Sequence, residues 1–333
     1  MQKTHCAIVG MGAYLPERVV TNDDLATLFD TSDDWIRSRT GIVERRYAAQ
    51  GEGTAQLASH AAREAMADAG WTADDVDLLL FATLSPDHHF PGSGCYLQAM
   101  LDLGSVPAMD LRTQCTGFLY GLATARAFIV SEQYRRVLVV GAEIHSHTLE
   151  HPDAPRDLAV LFGDGAAAVA VERTDKPGLL APVLHADGRG ASALQLTLFE
   201  MSRRPWVTPQ DIEAGRQFPT MDNAKVFLEA VRRMEQAVHE VLASAGHDLD
   251  EVALVIPHQA NLRISEALRR RLGLAPERVF NNIQTRGNLT AASLPMALYD
   301  ARQAGRLPER GLVLLVAFGS GFTWGGALLR FEP

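Results

Sequence analysis

The feature that most restricts how this chain can fold is an internal repeat. Ala61–Pro86 reads AAREAMADAGWTADDVDLLLFATLSP, and Ala237–His258 reads AVHEVLASAGHDLDEVALVIPH. Setting Ala69-Gly70 on Ala245-Gly246 puts Val76 on Val252 and Leu78 on Leu254, each pair 176 residues apart. The run Val137-Leu-Val-Val140 falls on Val313-Leu-Leu-Val316 at the same spacing of 176. Two distant blocks sharing one offset mark a duplication. Each copy passes from an alanine-rich amphipathic stretch, through a glycine, into an apolar run of strand length. Strands that are apolar on both faces must be covered on both faces, so two copies pack as layered sheets with functional residues meeting between them.

The same alternation elsewhere predicts an α/β chain. Strands are expected at Ala7–Val9, Leu78–Ala82, Val137–Val140, Ala166–Val171, Val252–Ile256, Leu312–Ala317 and Gly326–Phe331. Helices are expected at Thr54–Ala69, Cys115–Glu132, Ala224–Ala245, Arg263–Leu272 and Ser293–Ala304, with Gly70, Gly246 and Gly305 at their C-terminal ends. A length of 333 residues suits two such units, and 47% hydrophobic with 21% charged residues is the mix of a globular protein.

Charge narrows the function classes. Lysine plus arginine number 31 against 40 acidic residues, a net charge of −9 with no lysine-rich tail, which argues against general nucleic-acid binding. Any anionic partner needs a local cationic patch. The three cysteines, Cys6, Cys95 and Cys115, are too few and too scattered for a disulfide scaffold or a cysteine-rich zinc site, and they read as free thiols. No stretch approaches the ~20 apolar residues that span a bilayer. The first residues carry no apolar signal region followed by a cleavage site, so a cytoplasmic location is expected.

Four segments could carry chemistry. Cys115, in Arg112-Thr-Gln-Cys-Thr-Gly-Phe, sits where an extended segment turns into a helix, whose first N–H groups favour a thiolate and lower its pKa. The bland alternative is a small buried hydrophobe. His258, in Ile256-Pro-His-Gln-Ala-Asn, follows an apolar strand at the end where open α/β sheets gather their sites. Asn288, in Arg286-Gly-Asn-Leu-Thr-Ala-Ala-Ser-Leu-Pro, reads alone as a helix cap or turn residue. The run Phe318-Gly-Ser-Gly-Phe-Thr-Trp-Gly offers either backbone N–H groups for an oxyanion or a tight hairpin. Together they supply a nucleophile, a base or donor, an amide donor and an oxyanion site, the groups that thioester chemistry needs.

These motifs, with Thr31-Ser-Asp-Asp-Trp-Ile-Arg-Ser-Arg-Thr-Gly-Ile, closely resemble the β-ketoacyl-acyl carrier protein synthase III family of the thiolase superfamily, in the right order along essentially the whole chain. The resemblance implies a thiolase fold, an α/β architecture with duplicated halves in a five-layered α-β-α-β-α arrangement and usually a homodimer. The halves then run 1–173, with the nucleophile, and 174–333, with His258 and Asn288, and 185–218 forms a variable cap segment. It further implies that Cys115 takes an acyl group from acyl-CoA, a substrate rather than a permanent cofactor, with the N–H groups of Cys115 and Ser320 as the oxyanion hole. His258 and Asn288 would then hold the thioester carbonyl of malonyl-ACP as carbon dioxide leaves. By the same resemblance, Trp35 and Arg156 flank the CoA adenine, and Arg39, Phe227 and Asn261 lie along the pantetheine tunnel. Gln259 and Arg263 fall at the acyl carrier protein docking site. Phe90 and Phe318 belong to the acyl pocket, Phe90 reaching into that of the partner subunit.

Two departures bear on the primer. Gly92 and Gly94 follow Phe90 where bulkier residues are common, a hint of a roomier acyl pocket, and Asn223 stands where the family usually has glycine near the tunnel wall. The arginines at 232, 233, 263, 269, 270 and 271 supply the cationic patch if they face the tunnel mouth. Alternative enzymes are a specialised relative of secondary metabolism using a longer or unusual acyl donor or malonyl-CoA, or an acyltransferase forming an ester or amide. Val9-Gly-Met-Gly-Ala-Tyr-Leu lacks the third glycine of a dinucleotide-binding turn, with Leu15 and Pro16 where its helix should run. His145, His147 and His151 do not have the spacing of a helical metal pair, so surface or hydrogen-bonding roles are expected and no metal. Loss of the cysteine would mark a non-catalytic scaffold; Cys115 is present.

Overall fold

The structure, a computed structural model, describes residues 4–180 and 182–332. One sheet takes β1 (His5–Tyr14), β2 (Leu78–Ala82), β3 (Ala108–Leu111), β4 (Arg136–Glu143) and β5 (Gly165–Thr174), in the order β1-β5-β4-β2-β3. A second takes β6 (Val183–Ala186), β7 (Val252–Pro257), β8 (Gly311–Gly319) and β9 (Thr323–Phe331), in the order β7-β8-β9-β6. The helices that cover these sheets or carry the site are α1 (Asp33–Thr40), α2 (Thr54–Asp68), α3 (Gly117–Val130), α4 (Asn223–Ala245), α5 (Leu262–Arg271) and α6 (Ser293–Gln303).

The repeat is visible in strand register. β2 pairs parallel with β4, Leu78 opposite Val137, and β7 pairs parallel with β8, Leu254 opposite Val313. The second pairing is the first displaced by 176 residues on both strands. Side-chain alternation then sorts the layers. Leu78, Leu80, Val137 and Val139 point inward, where α3 and α6 join them to Leu254, Ile256, Val313 and Leu315 of the second sheet. Leu79, Phe81, Leu138 and Val140 point outward against the small residues of α2. Val255, Leu314, Val316 and Leu328 face α4 and α5. The result is the expected order α-β-α-β-α, with α3 and α6 buried as the central layer.

Three expectations change in detail. The strand expected at Ala7–Val9 extends over His5–Tyr14. Gly10 and Gly12 lie inside it because a Cβ at either would strike the backbone of α2, so the Gly-x-Gly pattern is a helix-packing seam. The helix expected from Cys115 is broken at its start into a 3₁₀ turn, Gln114–Thr116, before α3. The 185–218 segment starts within β6 and holds the short helix Pro209–Glu213 and the two-residue strand Leu194–Gln195, which pairs with Thr220–Met221 just beyond the segment.

A small two-stranded antiparallel sheet, Arg18–Thr21 with Glu44–Tyr47, carries a fully buried arginine. Arg45 donates to Val20 O, Asn22 Oδ1 and Val160 O, bonds that join the small sheet to the 156–161 segment beside the site. Arg45→Met should cost about 3 kcal/mol, because three buried acceptors lose their donor. A urea midpoint unchanged from the parent would refute that account.

Candidate active site

A cavity of about 1540 Å³ opens where the two halves meet, and Cys115, His258, Asn288, Phe318 and Ser320 all line it. Each is delivered by a different piece of backbone. Cys115 comes from the 3₁₀ turn before α3, and His258 directly follows the C-terminal end of β7. Asn288 follows Gly287, whose φ of +66° turns the chain back beside Leu161–Gly163. There Asn288 N–H donates to Leu161 O, and Gly163 N–H donates to Asn288 O. Ser320 stands in the turn between β8 and β9.

The 3₁₀ turn is locked against the β8–β9 turn. Thr116 Oγ1 lies 2.8 Å from Thr323 Oγ1, which donates to Ser320 O. Gly319 permits this approach, since a Cβ there would sit 3.1 Å from Cys115 Cβ. The Phe318–Gly325 run is thus a hairpin, and the hairpin brings Ser320 N–H beside Cys115. Both the Cys115 and Ser320 N–H groups hydrogen-bond toward the sulfur, which favours thiolate. They do not set the balance: burial, with the nearby Glu143 carboxylate adding to it, pushes the Cys115 thiol up to about 12. The expected lowering by the helix start is therefore corrected, since desolvation outweighs the aligned N–H groups and the resting nucleophile is a neutral thiol.

His258 is buried, and neither ring nitrogen has a hydrogen-bond partner among the described residues. Burial without a counter-charge pulls its pKa down to about 3, so the imidazole is neutral. An unpaired buried imidazole is costly unless a ligand completes it. Asn288 accepts from Thr290 N–H through Oδ1 at 2.8 Å. The turn-capping role foreseen for it is real, and it leaves Nδ2 as the donor available to the cavity. Two neutral donors thus share the cavity with a thiol that sits under two backbone N–H groups.

The tunnel residues fall out unevenly. Trp35, Arg39, Phe227 and Asn261 line the same cavity. Arg156 instead borders an adjoining cleft with Asp30 and Pro155, yet its guanidinium lies 4.3 Å from the Trp35 ring centroid, and Arg39 lies 4.4 Å from it. Arg156 also donates to Asp30 O, so a planar group entering between it and Trp35 has to displace that guanidinium. Asn261 caps α5 through Arg263 N–H and donates to Arg39 O, which fixes the tunnel mouth.

Several site expectations are corrected. Gln259 cannot take part in carrier docking: it is buried, its Nε2 donates to Pro257 O and its Oε1 accepts from the N–H groups of Asn282 and Ile283, so it braces the His258 loop. The six-arginine patch shrinks. Arg232 and Arg233 pair with Glu229, Arg269 with Glu266 and Arg271 with Glu235, while Arg263 and Arg270 make no ion pair among the described residues. Gly92 and Gly94 have a packing reason of their own: a Cβ at either would strike the carboxylate of Asp110, which accepts from the N–H groups of Ser93 and Gly94. Phe90 is 81% exposed and does not line its own chain's cavity, whereas Phe318 is buried against Phe322 at 4.8 Å. Asn223, the first residue of α4, does line the cavity.

Among the described residues no three His, Cys, Asp or Glu side chains are grouped to hold a metal ion. His145 is turned inward, 2.7 Å from Thr290 Oγ1, while His147 and His151 are exposed. Glu143, fully buried at the end of β4, was not foreseen as part of the site. Its carboxylate accepts from the N–H groups of Leu84, Ser85 and Ala291, and its pKa rises to about 7 by burial. A lone acid closing an otherwise apolar strand was the available signal.

Residues 109–188 match the model of the family described as 3-oxoacyl-[acyl-carrier-protein (ACP)] synthase III, and residues 242–331 match the model of its C-terminal part. Over 333 aligned residues the chain is 43% identical to the β-ketoacyl-[acyl-carrier-protein] synthase III of Alkalilimnicola ehrlichii, covering 98% of this chain and 100% of that protein. The crystal structure of 3-oxoacyl-[acyl-carrier-protein] synthase III from Aquifex aeolicus has a TM-score of 0.88 at 40% identity, covering 98% of this chain and 100% of that one. The priming β-ketosynthase from the R1128 polyketide biosynthetic pathway has a TM-score of 0.89 at 32% identity, covering 99% and 97%.

Proposed function

Since the chain belongs to the 3-oxoacyl-[acyl-carrier-protein] synthase III family, a group of thiolase-fold acyltransferases, we infer that it condenses an acyl-CoA primer with malonyl-ACP, initiating acyl-chain synthesis. The observation that supports this most directly is that the neutral His258, unpartnered among the described residues, lines one cavity with the Asn288 amide and Cys115.

Cys115 sulfur attacks the thioester carbonyl of acyl-CoA. The oxyanion is received by the Cys115 and Ser320 N–H groups, donors of a kind worth on the order of 3 kcal/mol each. The thiol proton ends on the departing CoA sulfur, and the neutral His258 imidazole, unpartnered among the described residues, is a cavity group able to relay it. Malonyl-ACP then replaces CoA. As the C–C bond to the carboxylate breaks, the electron pair becomes an enolate whose oxygen accepts hydrogen bonds from His258 and Asn288. The enolate carbon attacks the acyl-Cys115 carbonyl, the same oxyanion hole receives the charge, and the thiolate leaves and takes one proton from solvent to restore the neutral thiol. Loss of carbon dioxide generates the carbanion, so neutral donors suffice and no strong base is required.

The tested form of this reading is sequential. Mass spectrometry of Cys115 after incubation with a panel of acyl-CoAs should show one acyl adduct per chain, and malonyl-ACP should discharge it as a β-ketoacyl product. An adduct discharged instead onto an alcohol or amine would favour the ester- or amide-forming alternative. The preferred primer length separates a fatty-acid starter from a specialised pathway.

The CoA roles of Trp35, Arg39, Arg156, Phe227 and Asn261 belong to the same reading, as do a cytoplasmic location and a homodimer in which Phe90 enters the second copy's acyl pocket. Support for the dimer is the exposure of Phe90, with exposed Met109 on the edge strand β3. No helix among the described residues is long and apolar enough to cross a membrane. Carrier docking falls to Arg263 at the cavity mouth with Arg270 on the same helix. Arg263→Glu with Arg270→Glu should raise KM for malonyl-ACP about tenfold or more, with salt-sensitive losses, while Cys115 self-acylation changes little. Equal losses in both half-reactions would count against docking there.

Decarboxylation by acylated enzyme should show no limb near pH 6.5 that depends on His258, whereas Glu143, raised to about 7 by burial, is the group of the site that titrates in that range. His258 is depressed to about 3, so acidification from pH 8 to 5 leaves it neutral and its donor pattern unchanged. A fall in rate centred near pH 6.5 that disappears in His258→Asn would show a solvated histidine.

A further inference from the structure

The segment that carries Asn288 is strained and is held from the opposite half of the molecule. Thr290, a β-branched residue, has φ +46°, a left-handed conformation that such residues avoid unless their surroundings impose it. Its N–H is the donor that occupies Asn288 Oδ1 and so points Nδ2 to the cavity. Two contacts from the end of β4 and the residues just beyond hold this turn. His145 Nε2 lies 2.7 Å from Thr290 Oγ1, and Glu143 Oε1 accepts from Ala291 N–H at 3.2 Å. Gly141 makes the approach possible, since a Cβ there would lie 2.7 Å from Ala291 O. The His145 ring packs on Phe162 at 4.5 Å, and Phe162 forms the backbone bridge to Asn288, so the ring is fixed on both sides of the same turn.

We propose that His145, which lines the cavity together with Thr290, is a positioning residue for the decarboxylation half-reaction: through Thr290 it fixes the Asn288 amide as an enolate donor, and acyl transfer onto Cys115 does not depend on that bond. The proposal rests on the condensing-enzyme reading above. Asn288 is reached through this turn, whereas the oxyanion hole of Cys115 and Ser320 is assembled by the separate Thr116–Thr323 lock. A misaligned donor of this kind typically costs on the order of 10²-fold in rate.

His145→Leu removes the bond to Thr290 while retaining an apolar contact for Phe162. His145→Gln restores a hydrogen-bonding group at about the same reach, and Thr290→Val cuts the bond from the other side while keeping the branched shape. Rapid-quench measurement would follow acyl-Cys115 formation by mass spectrometry and release of labelled carbon dioxide from malonyl-ACP by pre-acylated enzyme. His145→Leu and Thr290→Val should each lower carbon dioxide release at least tenfold with acylation within threefold of the parent, and His145→Gln should recover most of the loss. Decarboxylation at the parental rate in both, or acylation and decarboxylation falling together without rescue by glutamine, overturns the proposal. A variant that does not fold shows no acylation burst, and the remaining two variants then decide. A parent enzyme that forms acyl-Cys115 yet releases no carbon dioxide overturns the functional reading itself, and the positioning role with it.

Discussion

Replacing Cys115 by alanine is expected to abolish covalent acylation and to lower condensation by more than about 10³-fold, because the nucleophile has no substitute in the cavity. Among the described residues the other two cysteines are remote from the chemistry: Cys6 is buried in β1 and Cys95 is exposed, and neither lines the cavity. The backbone donors survive the change, since they are the N–H groups of residues 115 and 320. His258 and Asn288 also remain. The alanine variant should therefore still release carbon dioxide from malonyl-ACP without forming a β-ketoacyl product. Acyl label found on the Cys115→Ala protein would show that another residue is the nucleophile and would end the assignment.

The second large effect is the converse. His258→Ala and Asn288→Ala should each leave Cys115 able to take an acyl group while lowering malonyl decarboxylation on the order of 10²- to 10³-fold, the cost of one oxyanion-type donor. The double variant should lose less than the product of the two, because both donors serve one oxygen. His258 also stands as the relay for the thiol proton, so its alanine variant should acylate more slowly than the asparagine site variant. Decarboxylation that survives in both single variants would mean that the enolate is held elsewhere.

Much of this was legible in the residues. The repeat at 176 is reproduced in the pairing of Leu78 with Val137 and Leu254 with Val313, because a strand's register is set by the apolar pattern it must bury. Strand Leu78–Ala82 has its expected bounds. Strand β3, Ala108–Leu111, falls in the short strand-like run that begins at Val106, a faint signal because it is a sheet edge with Met109 and Asp110 exposed, and an edge strand need not look apolar. Cys115, His258, Asn288 and Ser320 were all named from motifs, and they do converge. Glu143 and the inward turn of His145 were not foreseen, because their partners at Ala291 and Thr290 lie about half a chain away.

By itself the sequence determined the duplicated, layered architecture and the identity of the reacting groups, since periodicity and short motifs are written within a few neighbouring residues. Only the tertiary structure decided their states. The Cys115 thiol is raised where a helix start alone implied lowering, because desolvation depends on what closes over the sulfur. Gln259 became a brace and Arg271 paired with Glu235 of another helix because each met a partner supplied by folding, whereas Arg232, Arg233 and Arg269 pair within their own helices at spacings the sequence already contains. Charge, burial and hydrogen-bond vacancy are properties of surroundings, and in this chain the surroundings of every reacting group come from both halves.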